Sequence, residues 1–222
     1  MKTSKILFIS FFSLLGLVLL SIPIIVSSTI KEQEHARSLF NKVEKELPVF
    51  NHLIVANNSC FSISNSESGE NTLIYSFPKD STIDEINFQL NGDTLTLPYQ
   101  NTKDKQSIKI RCGKVKSITC KVPLSIKIAQ DTLNISSESG QILMRSESIK
   151  QLNIKGTGGS IRTPKPFIIE ELNADLYNTR LKFNNIKINQ LNARMAYHSE
   201  LIISRANEII ISKDSESKFQ EN

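Results

Sequence analysis

Leucine returns along the second half of this chain at a fixed interval. The segments QDTLNI, IKQLNI, IEELNA and INQLNA carry Leu133, Leu152, Leu172 and Leu191, evenly spaced to within one position, and Ile210 in NEIIIS falls at the next step. A second apolar position keeps step: Ile142, Ile161, Leu181 and Leu201 follow one another at the same interval, again to within one position. Polar or small residues separate the two positions, in SSESG, KGTGG, DLYNT and RMAYH. Two short strand-like pieces sharing one period of about 20 residues are the signature of a β-solenoid rung. A single rung has too little apolar surface to hide. Rungs stacked about 4.8 Å apart bury a continuous aliphatic column, so each must place its branched residue at the same point.

The residue after each of the four leucines is Asn134, Asn153, Asn173 or Asn192. Strand alternation puts these on the outer face, where asparagine is merely tolerated. Amides stacked in register can also hydrogen-bond from rung to rung. Both readings stand at this level.

Upstream the texture is also that of strands: His52–Val55, Cys60–Ile63, Thr72–Ser76, Ser107–Ile110, Ile118–Val122 and Ser125–Ile128. Ile86–Leu90 and Thr94–Leu97 flank Asn91-Gly92-Asp93, and an Asn-Gly pair between apolar runs predicts a hairpin. The fold class expected is all-β: a right-handed β-helix or β-solenoid with rungs of about 19–20 residues, covering 49–212. Residues 213–222 are polar apart from Phe219 and are expected to be disordered.

Two helices are expected ahead of the solenoid. Residues 6–30 carry no charge. Within them Ile6–Val26 is a predominantly apolar run that reaches the roughly 20 residues a helix needs to cross a bilayer. Lys2 and Lys5 precede it, which orients the N-terminus to the cytoplasm and the rest outside. Residues 1–30 therefore read as a single-pass transmembrane signal anchor of the cytoplasmic (inner) membrane, or as a cleaved signal peptide with Val26-Ser27-Ser28 at the cleavage site. The first reading leaves an anchored extracytoplasmic domain and the second a secreted one. Residues 31–48 contain a stripe of Ala36, Leu39, Phe40, Val43 and Leu47 at helical spacing, ended by Pro48, and predict a short amphipathic linker helix.

An extracytoplasmic domain permits disulfides. Cys112 alternates with Ile108 and Ile110, and Cys120 with Ile118 and Val122, so both are expected to point inward. They can form a bridge or remain two buried free thiols, and the third cysteine, Cys60, leaves an odd count.

The residues that carry chemistry in other chains are not grouped here. His35, His52 and His198 lack partners at ligand spacing, and there is no CxxC or HExxH, so no metal site is expected. Gly156-Thr157-Gly158-Gly159-Ser160 lacks the Gly-Lys-Ser/Thr of a phosphate loop and reads as a tight turn between strands. Ser139-Gly140 lacks the first glycine of a nucleophile elbow. Asp175, Arg180, Arg194 and Glu200 are polar positions in neighbouring rungs whose mixed signs look like ordinary surface charge rather than a glycan-cleaving site. No catalytic, cofactor-binding or metal-binding residue is assigned, and the chain is not expected to be an enzyme. Apart from Lys2 and Lys5, 25 basic residues stand against 22 acidic ones and are scattered, so no nucleic-acid partner is expected. Tyr177 and Tyr197 lie one period apart and are placed to stack in adjacent rungs, as a binding strip or as surface packing.

The chain after Phe50 resembles the family of adhesin head domains called GIN, small envelope proteins of Bacteroidetes-type bacteria. The resemblance rests on FNHLIVANNSCFSI, on the NGDTLTL hairpin, on SIKIRCGKVKSITCKVPLSIKI, and on the Leu-x-Ile repeats with glycine turns at SSESG and GTGG. It implies a β-helix outside the cytoplasmic membrane and no catalytic residue. The turns DLYNT and RMAYH lack the family's glycine. The function expected is a non-enzymatic, membrane-anchored module that binds or adheres to a protein or glycan of the envelope or the extracellular space. The alternatives are a partner or sensor subunit in envelope regulation or scaffolding and, remotely, a polysaccharide-active β-helix enzyme.

Overall fold

A computed structural model describes residues 40–56, 61–79, 85–98, 107–146 and 148–221. The larger compact unit comprises residues 42–77 and 82–222, and the account below concerns it. Its described residues contain strands and no helix. Seventeen strands run in chain order: β1 (Phe40–Glu46), β2 (His52–Val55), β3 (Phe61–Asn65), β4 (Thr72–Pro78), β5 (Gln89–Asn91), β6 (Thr94–Leu97), β7 (Ser107–Cys112), β8 (Ser117–Cys120), β9 (Leu124–Lys127), β10 (Gln130–Ser137), β11 (Gln141–Met144), β12 (Ile149–Gly156), β13 (Ser160–Thr163), β14 (Ile168–Tyr177), β15 (Arg180–Ala196), β16 (Glu200–Lys213) and β17 (Lys218–Glu221).

They form a β-solenoid built from parallel ladders. On one face the rungs pair as β8, β10, β12, β14, the second half of β15 and the second half of β16, with Leu133, Leu152, Leu172 and Leu191 in register. All four leucines are fully buried. On the next face β9, β11, β13 and the first halves of β15 and β16 align Leu124, Ile142, Ile161, Leu181 and Leu201. Inward residues also fall at Ile149 and Leu152, Ile169 and Leu172, Ile188 and Leu191. A spacing of three, where alternation gives two, marks a corner before the first face.

The opening rungs are stacked out of chain order. β2 lies between β6 and β8, and β3 between β7 and β9, all parallel. Strands β6 and β7 therefore lie outside β2 and β3, and residues 113–116 return the chain to β8 on their other side. Antiparallel strands cover that end: β4 on β7 and β5 on β6. The hairpin loop is Gly92-Asp93, with Gly92 at φ 61°, because Asn91 already pairs with Thr94.

Three expectations are corrected. Residues Phe40–Glu46, the described part of the predicted linker helix 31–48, form β1, which pairs with β4. Val43, Lys45 and Leu47 are more buried than their neighbours, a period of two that sheet pairing selects over helical propensity. The C-terminal segment is not disordered throughout: β17 pairs with β16 and sets Phe219 under Leu201, so the second aliphatic column runs one rung further. Last, Ile209 and not Ile210 continues the leucine column, because between Phe183 and Lys187 three residues of β15 stand opposite the single Ser204 of β16, and the register offset falls from 20 residues to 18. Asn185 adopts φ 58° at that point. The transmembrane segment proposed for 1–30, His35 and Cys60 lie outside the described residues.

Candidate functional site

The first face carries a groove of about 710 Å³, open to solvent and crossing the rungs from Ser117 to Ser212. Its floor is the backbone of the strands at Ile135, Ile154, Ala174 and Ala193, whose side chains turn into the core. Two outward rows of side chains bound it.

The first row is the asparagine ladder. Asn192 Nδ2 donates to Asn173 Oδ1 at 3.0 Å, Asn173 to Asn153 at 2.9 Å, and Asn153 to Asn134 at 2.8 Å. Asn134 Nδ2 then donates to the Lys116 carbonyl at 2.9 Å, which fixes the direction of the whole chain of amides. Both sequence readings are thus met: the amides stand on the outer face and they stack. Each amide donates one N–H in this chain of amides, and Asn134, Asn153 and Asn173 each accept one; Asn134, Asn153 and Asn192 keep a second N–H for a ligand or water, while Asn173 gives its own to Glu171 Oε1 at 2.8 Å. The second row runs in register through Thr119, Ser136, Lys155, Asp175, Arg194 and Ser212. Hydroxyls and charges of both signs alternate along it, so the groove presents no field of a single sign.

A second feature sits at the corner between the two faces. The rings of Tyr177 and Tyr197 stack with centroids 5.1 Å apart and planes 5° from parallel, and both side chains are half exposed. His198 tilts against Tyr197 at 5.3 Å. The corner is closed in two ways. The early turn uses glycine: Gly159 has φ 80°, and a Cβ there would lie 2.2 Å from the Gly140 carbonyl oxygen. The later turns use left-handed non-glycine residues, Asn178 (φ 49°), Tyr197 (φ 54°) and His198 (φ 58°). For a residue as bulky as tyrosine this conformation is strained.

Buried hydroxyls hold these glycine-poor turns. Thr179 Oγ1 accepts from the Gly158 N–H at 2.9 Å and donates to the Tyr177 carbonyl at 2.9 Å. Ser199 Oγ accepts from the Thr179 N–H at 3.3 Å and donates to the Ala196 carbonyl at 2.6 Å. In the last turn the Asp214 carboxylate accepts from the Tyr197 N–H at 2.6 Å and the Ser217 N–H at 2.8 Å. Hydrogen bonding from Ser217 and from the Tyr197 backbone holds the Asp214 carboxyl below its ordinary range. Thr179, Ser199 and Ser217 recur once per rung, a polar register that the sequence reading, fixed on apolar positions, passed over.

The four charged residues considered for a glycan-cleaving site separate into two pairs. Asp175 and Arg194 are register partners in the groove row, while Arg180 and Glu200 pair on the second face as an ion pair. His52 contacts Ser117 Oγ at 2.6 Å and lies 3.6 Å from Asp93; His198 lies 3.7 Å from Glu216. Among the described residues no group of three or more potential ligands could hold a metal ion. Gly156–Ser160 joins β12 to β13 as a rung turn. Cys112 and Cys120 are buried free thiols in different rungs. Burial pushes Cys112 up to about 11 and Cys120 up to about 12.

No protein-family model matches the sequence, and no curated protein is similar to it. Crystal structures to which the fold is similar include the following two. One is a protein of Bacteroides fragilis described as a putative adhesin, with 14% identity, a TM-score of 0.57, and coverage of 82% of this chain and 97% of that one. The other is a protein of Parabacteroides distasonis described as a putative lipid binding protein, with 12% identity, a TM-score of 0.51, and coverage of 82% and 96%. At these identities the likeness is one of fold.

Proposed function

We propose that this chain is a non-enzymatic, GIN-type binding or adhesion module, anchored to the cytoplasmic membrane by residues 1–30 with its solenoid outside, and that the groove of the first face is where it binds. One observation carries the reading: a continuous ladder of four hydrogen-bonded asparagine amides bordering an open groove of about 710 Å³. The ladder repeats about every 4.8 Å, so it suits an extended polymer laid across the rungs. Each step offers a free amide acceptor, and each except Asn173 a free donor, opposite a hydroxyl or a single charge, a pattern that matches the hydroxyls of a glycan. The alternation of Lys155, Asp175 and Arg194 disfavours a polyanion such as a nucleic acid. The description of one structural neighbour as a putative adhesin agrees with this role.

The test is binding of the full-length protein, in detergent micelles, to an array of neutral and zwitterionic envelope polysaccharides. The double variant N153A/N173A, which removes the two central amides, is expected to lose at least tenfold in affinity for any glycan retained by the wild type. Equal binding by both proteins removes the groove from the proposal. Fractionation with intact mass measurement tests the anchor: a mass of 25.0 kDa in the membrane fraction supports it, and a soluble shortened form overturns it.

A further inference from the structure

The two ends of the solenoid differ. One is covered by the antiparallel strands β4 and β5. At the other, residues 205–213 of β16 pair with β15 on one side only, and among the described residues no strand pairs with their outer edge. There the leucine column ends in Ile209, which is 38% exposed, beside Ile210 at 64%. A flat apolar edge with unpaired backbone groups is a template for another strand, and proteins ordinarily blunt such edges with charge or cover them. Stacked-repeat proteins likewise need a polar terminal cap.

The pattern of this edge selects its occupant. Ile209 and Ile211 sit at core-facing positions, in register with Leu191 and Ala193, and Ile210 at an outward one, in register with Asn192. Opposed residues of an antiparallel pair lie on the same face. If a second copy pairs antiparallel about a two-fold axis through Ile210, Ile209 meets Ile211 of the partner inside and Ile210 meets Ile210 outside. Glu208 then faces Ser212, and Lys213 faces Asn207, so no like charges are opposed. Centring the axis one residue earlier sets Glu208 against Ile210. Centring it one residue later sets Lys213 against Ile209 at core-facing positions. Only the pairing about Ile210 keeps all three isoleucines against isoleucines and continues the core across the junction.

We propose that this edge is an interface between two copies of the chain, joined end to end by antiparallel pairing of residues 208–212 about Ile210. An end face with strands of this length buries roughly 1,000 Å² in total, at the low end for specific association, which places the dimer in the weak, reversible class. In the dimer the grooves of the two copies meet at Ile210, which lines the end of each.

Cysteine cross-linking of the full-length protein tests this, in a C60S background so that only buried native thiols remain. An I210C variant at micromolar concentration, mildly oxidised, is expected to give a disulfide-linked dimer as its main product. E208C alone and S212C alone are expected to give little, and a mixture of the two a heterodimer, because the register pairs 208 with 212. N173C, in mid-solenoid, is the collision control. Dimer formation by I210C no greater than by N173C, or by E208C alone as efficiently as by I210C, overturns the proposal. Independently, I210K, a change at an exposed position that leaves the fold intact by circular dichroism, is expected to shift wild-type dimers to monomers in sedimentation velocity; an unchanged distribution, or a wild type that is monomeric throughout, also overturns it. Wild type that sediments as a complex only with another protein assigns the edge to a different occupant and refutes self-pairing.

Discussion

Truncating Leu172 to alanine measures how strictly the leucine column is held. Leu172 is fully buried, and its neighbours in register, Leu152 and Leu191, are fully buried as well. The rungs above and below are fixed by backbone ladders and by the amide bonds of Asn153, Asn173 and Asn192, so the column cannot slide shut over the lost atoms. The cost therefore falls in the upper half of the range for leucine truncations, about 4 kcal/mol. For a unit of this size that lowers Tm by about 12 °C. Ile209 continues the same column but is 38% exposed, and water fills what Ile209→Ala removes, so that change costs about 1 kcal/mol and about 3 °C. Ile210→Ala, one residue on and outward, leaves the Tm of the dilute protein within about 1 °C. The assay is thermal melting of the three variants followed by far-ultraviolet circular dichroism. Leu172→Asp, which strands a charge in the column, unfolds the repeats outright. A wild-type Tm for Leu172→Asp, or a larger loss from Ile210→Ala than from Ile209→Ala, refutes the register.

Asn173→Ala interrupts the amide ladder at its centre and is expected to lower stability by about 1 kcal/mol, since the groove lets water replace the lost partners, as urea unfolding will register. Gly159→Ala puts a side chain at φ 80° and 2.2 Å from the Gly140 carbonyl oxygen, and destabilises by about 3 kcal/mol or more on the same measurement. His198→Gly relieves a left-handed conformation and is neutral or stabilising by up to about 1 kcal/mol, the opposite sign to a glycine placed in a strand. The depressed carboxyl of Asp214 stabilises the last turn above the ordinary carboxylate pKa, and this contribution is lost as pH falls through the lowered value; acidification below about pH 4 should raise amide exchange at Tyr197 and Ser217 before the early rungs, and Asp214→Asn should remove the pH dependence. Cys112 and Cys120, raised to about 11 and about 12 by burial, should resist alkylation in the native protein at neutral pH and react on unfolding.

What could be read from the sequence is what each rung must repeat for itself. A leucine that fails to return at its place leaves a hole in a shared column, so Leu133, Leu152, Leu172 and Leu191 display the period openly, and the stacked tyrosines 177 and 197 follow from it. The same logic failed where one rung departs from the others. Between Phe183 and Lys187 β15 carries three residues, the left-handed Asn185 among them, where β16 has only Ser204, and the triple isoleucine 209–211 hides the slip, because any of its members satisfies an apolar pattern. Hydropathy could not choose among them; the side of the sheet each faces does. The order of the first rungs was illegible for another reason. That β2 sits between β6 and β8 depends on pairings between segments far apart in the chain, and each of these strands alternates correctly whichever neighbour it takes. Residues 40–46 show the limit most plainly. Val43 and Leu47 satisfy a helical stripe and an alternating strand equally, and the decision rests with β4, which supplies the hydrogen bonds a lone segment lacks. Local period thus specifies what a solenoid stacks, while the ends, where a rung has a neighbour on one side only, are decided by what the remaining edge can pair with. The covered end of this chain solves that problem with its own antiparallel strands, and the edge at Ile210 carries the symmetry needed to solve it with a second copy.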